Sequence, residues 1–243
     1  MNLVLTMAGK YSRFKLFGSK VPKYLLPLGS GTVLMEVINS LLASSSPLSV
    51  LLIANKDDQL FYPILKSVVA KFGIPAENIL YIDDTRSQLE TALYVSQLIG
   101  EAKWDNPIVF MNIDTITKNR NDFFVSIEKL AQDSGLVDVF SAASHQYSFV
   151  NPGEDQQVLS ISDGKSVSQL ACSGLYGFGS FTFMMKRAKE LMQSKSDANF
   201  TDLYNYIIKA GDKVMYSECI DKKNTLVLGT PEEYMINIHR FSL

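Results

Sequence analysis

The chain has 243 residues, 47% of them apolar, with 23 basic and 25 acidic side chains. That length suits one large α/β domain with a sizeable core, and the near-neutral charge offers no general basic field for nucleic acid, so any anion site must be local. The longest apolar runs are too short to cross a bilayer, Met1-Asn2-Leu3 lacks the charged start of a secretion signal, and Cys172 and Cys219 have no close-spaced partner for a disulfide framework or zinc knuckle. The expectation is a soluble cytoplasmic protein with neither a membrane nor a nucleic-acid partner; a homo-oligomer is left open.

Residues 3–7 read as a short buried strand. They run into Ala8-Gly9-Lys10-Tyr11-Ser12-Arg13-Phe14, and after a brief gap comes Pro22-Lys23-Tyr24-Leu25-Leu26-Pro27. A strand that ends in Gly, Ser and Arg presents backbone N–H groups and a guanidinium past its carboxyl edge, where open α/β sheets bind ligands. Backbone amides, Arg13 and Lys23 are the donors a polyphosphate needs. The plainer alternative is a strand and loop with incidental cations.

Helical spacing of Leu34, Val37, Ile38 and Leu41 predicts a helix over 33–42. Strands are expected over 49–54, 78–82 and 107–112, and helices over 62–72 and 88–98. Such alternation implies right-handed βαβ units and a parallel sheet. After Asp114 the texture becomes mixed. A helix is expected over 123–132 and a strand over 138–144. Short β segments fill 148–180, and helices follow over 181–193, 202–210 and 232–239. With no repeat or long linker, a single domain is expected, with a nucleotide-binding wing over about 1–115 and an acceptor-binding wing over about 116–243.

The apolar run Ile108-Val109-Phe110-Met111 ends in Asn112-Ile113-Asp114. A carboxylate closing a buried strand costs desolvation unless it is paired or bound to a metal. Mg²⁺ is commonly held by one or two carboxylates with phosphate oxygens and water. Asp114 could equally cap a following turn. In the loop Asp84-Thr85-Arg86-Ser87-Gln88-Leu89-Glu90-Thr91-Ala92, the amide of Gln88 and the hydroxyl of Thr91 suit a nucleobase edge. The same loop reads as a helix start with Asp84 or Thr85 as N-cap. Thr201 is expected to cap the helix over 202–210, and His145 and His239 lack partners at ligand spacing.

These segments resemble the nucleotidyltransferases that join NTPs to sugar 1-phosphates, the nucleoside-diphosphate-sugar pyrophosphorylases. Ala8, Gly9, Ser12, Arg13, Phe14, Pro22, Lys23, Leu25, Leu26 and Pro27 match that family's opening block. Asp114 falls where it keeps a metal-binding Asp. Lys165, Gly174 and Tyr176 match a later block, and Gly229-Thr230-Pro231-Glu232 a C-terminal one. The resemblance implies a GT-A-like, Rossmann-related α/β fold with a mixed, mostly parallel sheet flanked by helices. It implies Mg²⁺ on Asp114, Arg13 on the β,γ-phosphates, Lys23 on the α-phosphate or acceptor phosphate, and Lys165 on the acceptor phosphate. Ala8, Gly9, Ser12, Gln88 and Thr91 would face the nucleotide, and Gly174 and Tyr176 the acceptor. The partners implied are an NTP and a small phosphorylated acceptor, for nucleotide-sugar and capsule or other surface-polysaccharide precursor synthesis.

Three positions depart from the pattern. Tyr11 stands where the family usually has a glycine, so it is expected to take another backbone conformation, its ring covering the base or narrowing the pocket. Gly164 replaces a Glu that often binds sugar hydroxyls, which leaves phosphorylated non-sugars open as acceptors. Val227 replaces the second metal-binding Asp, a place Asp221 could fill from the preceding loop. Two alternatives stay open: a GT-A-type glycosyltransferase, since Asn112-Ile113-Asp114 is similar to an Asp-x-Asp motif, and a catalytically degenerate nucleotide-binding protein.

Overall fold

The structure is a computed structural model of the chain and describes residues 1–42, 49–117, 120–142, 144, 146–165, 167–218 and 225–239. His145, Cys219 and Asp221 lie outside the described residues. No described helix is long and apolar enough to cross a membrane.

Four parallel strands form one side of a nine-stranded mixed sheet. Strand β1 (Asn2–Met7) lies between β4 (Ser49–Asn55) and β6 (Ile108–Asn112), with β5 (Ile79–Ile82) beyond β4. The apolar runs of β1, β4 and β6, broken only by Thr6, follow from burial on both faces. Leu3, Leu5 and Met7 join one core and Val4 the other; Val109 and Met111 likewise part from Ile108 and Phe110. Helices α2 (Val33–Leu42), α3 (Tyr62–Ala70) and α5 (Asn121–Glu128) contribute to the first core. Helices α4 (Gln88–Leu93), α6 (Phe181–Met192) and α7 (Phe200–Lys209) contribute to the second.

Past Asp114 the sheet continues differently. Strand β11 (Leu170–Phe178) runs antiparallel to β6 and to β8 (Gly135–Ser141), and β12 (Val214–Glu218) pairs in parallel with β8. A hairpin of β9 (Ser148–Pro152) and β10 (Val158–Asp163) closes the far side. Two small ribbons complete the strands. One pairs β2 (Pro27–Leu28) with β3 (Gly31–Thr32); the other pairs β7 (Thr115–Thr117) with β13 (Thr225–Val227). The second ribbon brings the segment before Gly229 against the chain just after Asp114.

Several expected elements shift. The helix expected over 88–98 stops at Leu93 and gives way to a 3₁₀ turn over Tyr94–Gln97. The strand expected over 138–144 begins at Gly135 and ends at Ser141, and β12 lies where no strand was expected. The cap of α7 is Asn199, in a reciprocal box with Asp202, rather than Thr201, whose hydroxyl donates to Asn199 Oδ1 at 2.7 Å. Ser87, not Asp84 or Thr85, caps α4 by accepting from the Glu90 N–H at 3.1 Å. Both caps set the entry angle of a helix that reaches the ligand side of the sheet.

Candidate active site

Two clefts open along the carboxyl edge of the parallel strands and meet at the end of β6. The first, about 430 Å³, is lined by Ala8, Gly9, Tyr11, Lys23, Gln88 and Thr91 among others. The second, about 580 Å³, is lined by Arg13, Tyr147, Ser173, Gly174, Tyr176 and Glu233 among others. Asn112 and Asp114 line both. The segment that ends a buried strand therefore forms the wall between two chambers.

At that wall Lys23 Nζ donates to Asp114 Oδ2 at 2.9 Å, with the side chains 12% and 30% exposed. The Lys23 ammonium also lies 5.5 Å from the Phe14 ring centroid. A short 3₁₀ turn over Lys23–Leu25 places it there, anchored by the buried Tyr24 and Leu25. Two groups 91 residues apart in the chain are thus in direct contact.

Asn112 is the site residue that sequence reasoning undervalued. Its Oδ1 accepts from Gln88 Nε2 at 2.5 Å, while Gln88 Oε1 accepts from the Phe200 N–H at 3.3 Å. Gln88 thus ties α4, β6 and α7 together, with both ends of its amide engaged. The Thr91 hydroxyl is also internally bonded, 2.6 Å from that of Thr85 and 3.2 Å from the Ser87 carbonyl. Both residues line the first cleft, but their polar atoms shape it before they meet any ligand. Gly174 has a packing reason: at φ 86 it lies so close to Asn112 that a β-carbon would sit 3.2 Å from that side chain. Tyr176 is buried and stacks on Phe200 with centroids 4.8 Å apart.

The cations separate. Arg13, on the short helix α1 (Ser12–Leu16), is exposed and faces the second cleft rather than the first. Ser12 is exposed and is not among the lining residues of either cleft. Lys165 is likewise an exposed residue outside both linings, on the turn after β10, where the Gly164 N–H donates to the carbonyl of cleft-lining Tyr147 at 3.1 Å. An unexpected ion pair stands at the mouth of the first cleft. Lys10 Nζ lies 2.7 Å from Asp84 Oδ2; the hydrogen bond to Lys10 holds the Asp84 carboxyl below its ordinary value. Lys10 follows Gly9 directly, which was the available signal.

The floor of the second cleft is built from the Gly229–Thr230 turn. Thr230 caps α8 (Pro231–Ile238), and the cap is reciprocal with Glu233. Glu233 Oε1 accepts from Tyr147 Oη at 3.0 Å, and burial with that carboxylate raises the Tyr147 phenol to about 12. A β-carbon at Gly229 would press on Glu233 Oε2 at 3.1 Å, whereas Asp114 Oδ2, at 3.7 Å, would be in ordinary contact with it. Tyr147 lies in no segment whose spacing advertises a ligand, whereas Glu233 directly follows the Gly229–Glu232 block, which was the available signal.

The donor set decides what metal the site fits. Val227 lines the second cleft with an apolar side chain, and the described residues contain no group of three His, Cys, Asp or Glu able to hold an ion. Asp114 is the carboxylate common to both clefts, and no hydrogen bond to its Oδ1 is made among the described residues. These residues fit a Mg²⁺ carried in on phosphate oxygens better than one held by protein alone.

Tyr11 corrects the sequence reading. It keeps the left-handed conformation that suits a glycine, at φ 37 and ψ 39.

No family model matches the sequence, and no curated protein matches it. Solved structures do match in three dimensions. A nucleoside-diphosphate-sugar pyrophosphorylase from Vibrio cholerae RC9 superposes with a TM-score of 0.80 at 23% identity, covering 98% of this chain and 100% of that one. A Bacillus anthracis protein described as a glucose-1-phosphate thymidylyltransferase, in complex with sucrose, gives 0.75 at 15% identity, covering 99% and 95%. A UDP-glucose pyrophosphorylase complexed with UDP-glucose gives 0.76 at 14% identity, covering 99% and 97%. Superposition over nearly the whole length of each chain shows that this chain has the fold of the nucleoside-diphosphate-sugar pyrophosphorylases.

Proposed function

We propose that the protein joins an NTP to a sugar 1-phosphate or a similar phosphorylated acceptor and releases pyrophosphate. The observation that carries this reading is the shared wall, where Asp114 faces both clefts and Lys23 reaches it at 2.9 Å. A nucleotide in the first cleft and an acceptor phosphate in the second would meet there. The likeness to structures solved as sugar nucleotidyltransferases supports the reaction class.

The chemistry asked of the chain is positioning and charge neutralisation. An acceptor phosphate oxygen attacks the α-phosphorus of the NTP, the bond from that phosphorus to the bridging oxygen breaks, and pyrophosphate leaves. A phosphate monoester is already nucleophilic near neutral pH, so no general base is needed. Backbone at Ala8 and Gly9 borders the triphosphate, and Lys23 passes from Asp114 to the α-phosphate as the nucleotide binds. Arg13 reaches the β,γ-phosphates from the side of the second cleft. Asp114 would hold Mg²⁺, which when bound neutralises phosphate charge. Lys165 reaches the acceptor phosphate only by extending from the rim. Precursor supply for surface polysaccharide in the cytoplasm belongs to the same reading.

The glycosyltransferase alternative loses ground, because Asn112 supplies a neutral amide already bonded to Gln88. Pyrophosphate release measured with the four NTPs against a panel of sugar 1-phosphates and phosphorylated non-sugars tests the proposal. Turnover with at least one pair is expected. Nucleotide binding without turnover for any pair would point to a non-catalytic binding protein.

A further inference from the structure

The loop between β1 and α1 is held in place from outside. The strand end and turn that hold it belong to β4 and the following 3₁₀ segment, Lys56–Phe61. Asn55 Nδ2 donates to the Ala8 carbonyl at 3.2 Å, fixing the start of the loop. Tyr11 Oη donates to Asp58 Oδ1 at 2.7 Å, fixing the residue that opens α1. Asp58 is only 1% exposed and lines neither cleft. Its second oxygen is buried, and the phenols of Tyr24 and Tyr81 face the same carboxylate, so that burial beside this charge raises both. Above the Tyr11 ring, Lys15 Nζ lies 4.6 Å from the centroid.

A bulky side chain at φ 37 is disfavoured, because its β-carbon crowds the backbone where glycine has none. Something must hold it there. The buried carboxylate of Asp58 does so by accepting from the phenol, a charge-assisted contact made away from solvent. We propose that Asp58 is a positioning residue for the nucleotide loop: tethering the Tyr11 hydroxyl holds that backbone in the left-handed conformation a glycine would adopt unaided. The inference rests on the nucleotide reading of the first cleft. Without the tether, the loop would leave this conformation in the free protein, and a ligand would have to restore it at the expense of its own affinity.

The test is Asp58→Leu made in two backgrounds, the native chain and Tyr11→Gly. Two readouts are taken: amide hydrogen exchange in the ligand-free protein, and calorimetric binding of each of the four Mg-NTPs. The N–H groups of Phe14 and Lys15 donate to the Tyr11 carbonyl at 2.9 and 3.1 Å, so their exchange reports the loop directly. In the native background, exchange at these two amides should accelerate, and Kd should rise, each by about tenfold. In the Tyr11→Gly background, adding Asp58→Leu should change neither, since glycine needs no tether. Equal changes in both backgrounds would show that Asp58 acts on the fold at large and would overturn the inference; so would unchanged exchange in the native background. Should Asp58→Leu fail to fold, Tyr11→Phe removes the hydroxyl alone and must produce the same acceleration. A native protein that binds none of the four NTPs would refute the nucleotide reading, while the exchange comparison would still decide the tether.

Discussion

Replacing Asp114 by asparagine separates the roles assigned to the shared wall. The native carboxylate accepts from Lys23 at 2.9 Å, with Lys23 12% and Asp114 30% exposed. The bare Coulomb attraction at that distance is about 6 kcal/mol for an effective dielectric of about 20, and desolvation of both groups opposes most of it. Mutational values for hydrogen bonds to charged groups are about 1.5–3 kcal/mol. The partial exposure of Asp114 favours the lower end, about 1.5 kcal/mol, which lowers Tm by about 3–6 °C in a chain of this size. Binding a triphosphate to the native protein must first break this pair. Asp114→Asn removes that cost and one unit of negative charge, so metal-free NTP should bind about tenfold tighter. Mg²⁺-dependent pyrophosphate release should disappear, while the circular dichroism spectrum stays native. Calorimetry with and without Mg²⁺, alongside the release assay, reads all of these. Unchanged turnover would remove Asp114 from the site, and weaker metal-free binding would refute the idea that it holds Lys23 in check.

Other predictions follow from the same geometry. Arg13→Ala should weaken triphosphate binding by about 1.5–3 kcal/mol, seen as a loss of affinity for NTP that is much smaller for the nucleoside monophosphate. Val227→Asp should restore a second carboxylate to the cleft and lower the Mg²⁺ concentration needed for half-maximal release, with a small change in Tm. Gly174→Ala should destabilise by about 1 kcal/mol or more, because the position needs φ 86 and its β-carbon would press on Asn112; thermal denaturation checks this. Burial is the chief cause of the raised Asp58 pKa, so the folded state binds this proton more tightly than the unfolded chain. The stabilising share of that proton is present below about pH 4 and is lost as pH rises through the raised folded value. The Tm of Asp58→Asn relative to the native protein should therefore climb between about pH 4 and pH 7.

The central sheet was readable because its strands are buried on both faces. The run Ile108–Met111 in β6 has no polar residue, and Leu3–Met7 in β1 has only Thr6, so neither shows the polar face of an amphipathic helix. The Pro-Lys step and Asp114 were readable for a related reason, since a charge beside an apolar run is expensive unless it has a task. What stayed hidden depends on tertiary partners. Strand β12 is a strand because β8 is there to pair with it. The Gln88 amide is held between Asn112 and Phe200, partners 24 and 112 residues away that no local spacing announces. Tyr11 looked incompatible with the loop because its compensation, Asp58, lies 47 residues away. Local patterns carried the elements and the acidic and basic ends of the site, whereas the polar atoms that hold those ends in register could be placed only in three dimensions.

A crystal structure of the protein with bound NTP and Mg²⁺ bears most directly on the account. It should show the triphosphate running from Ala8 and Gly9 toward Arg13, with Lys23 moved from Asp114 onto phosphate and the ion between Asp114 and phosphate oxygens. A nucleotide bound elsewhere, or one in the first cleft with Lys23 and Asp114 still paired and no phosphate contact to either, would contradict it.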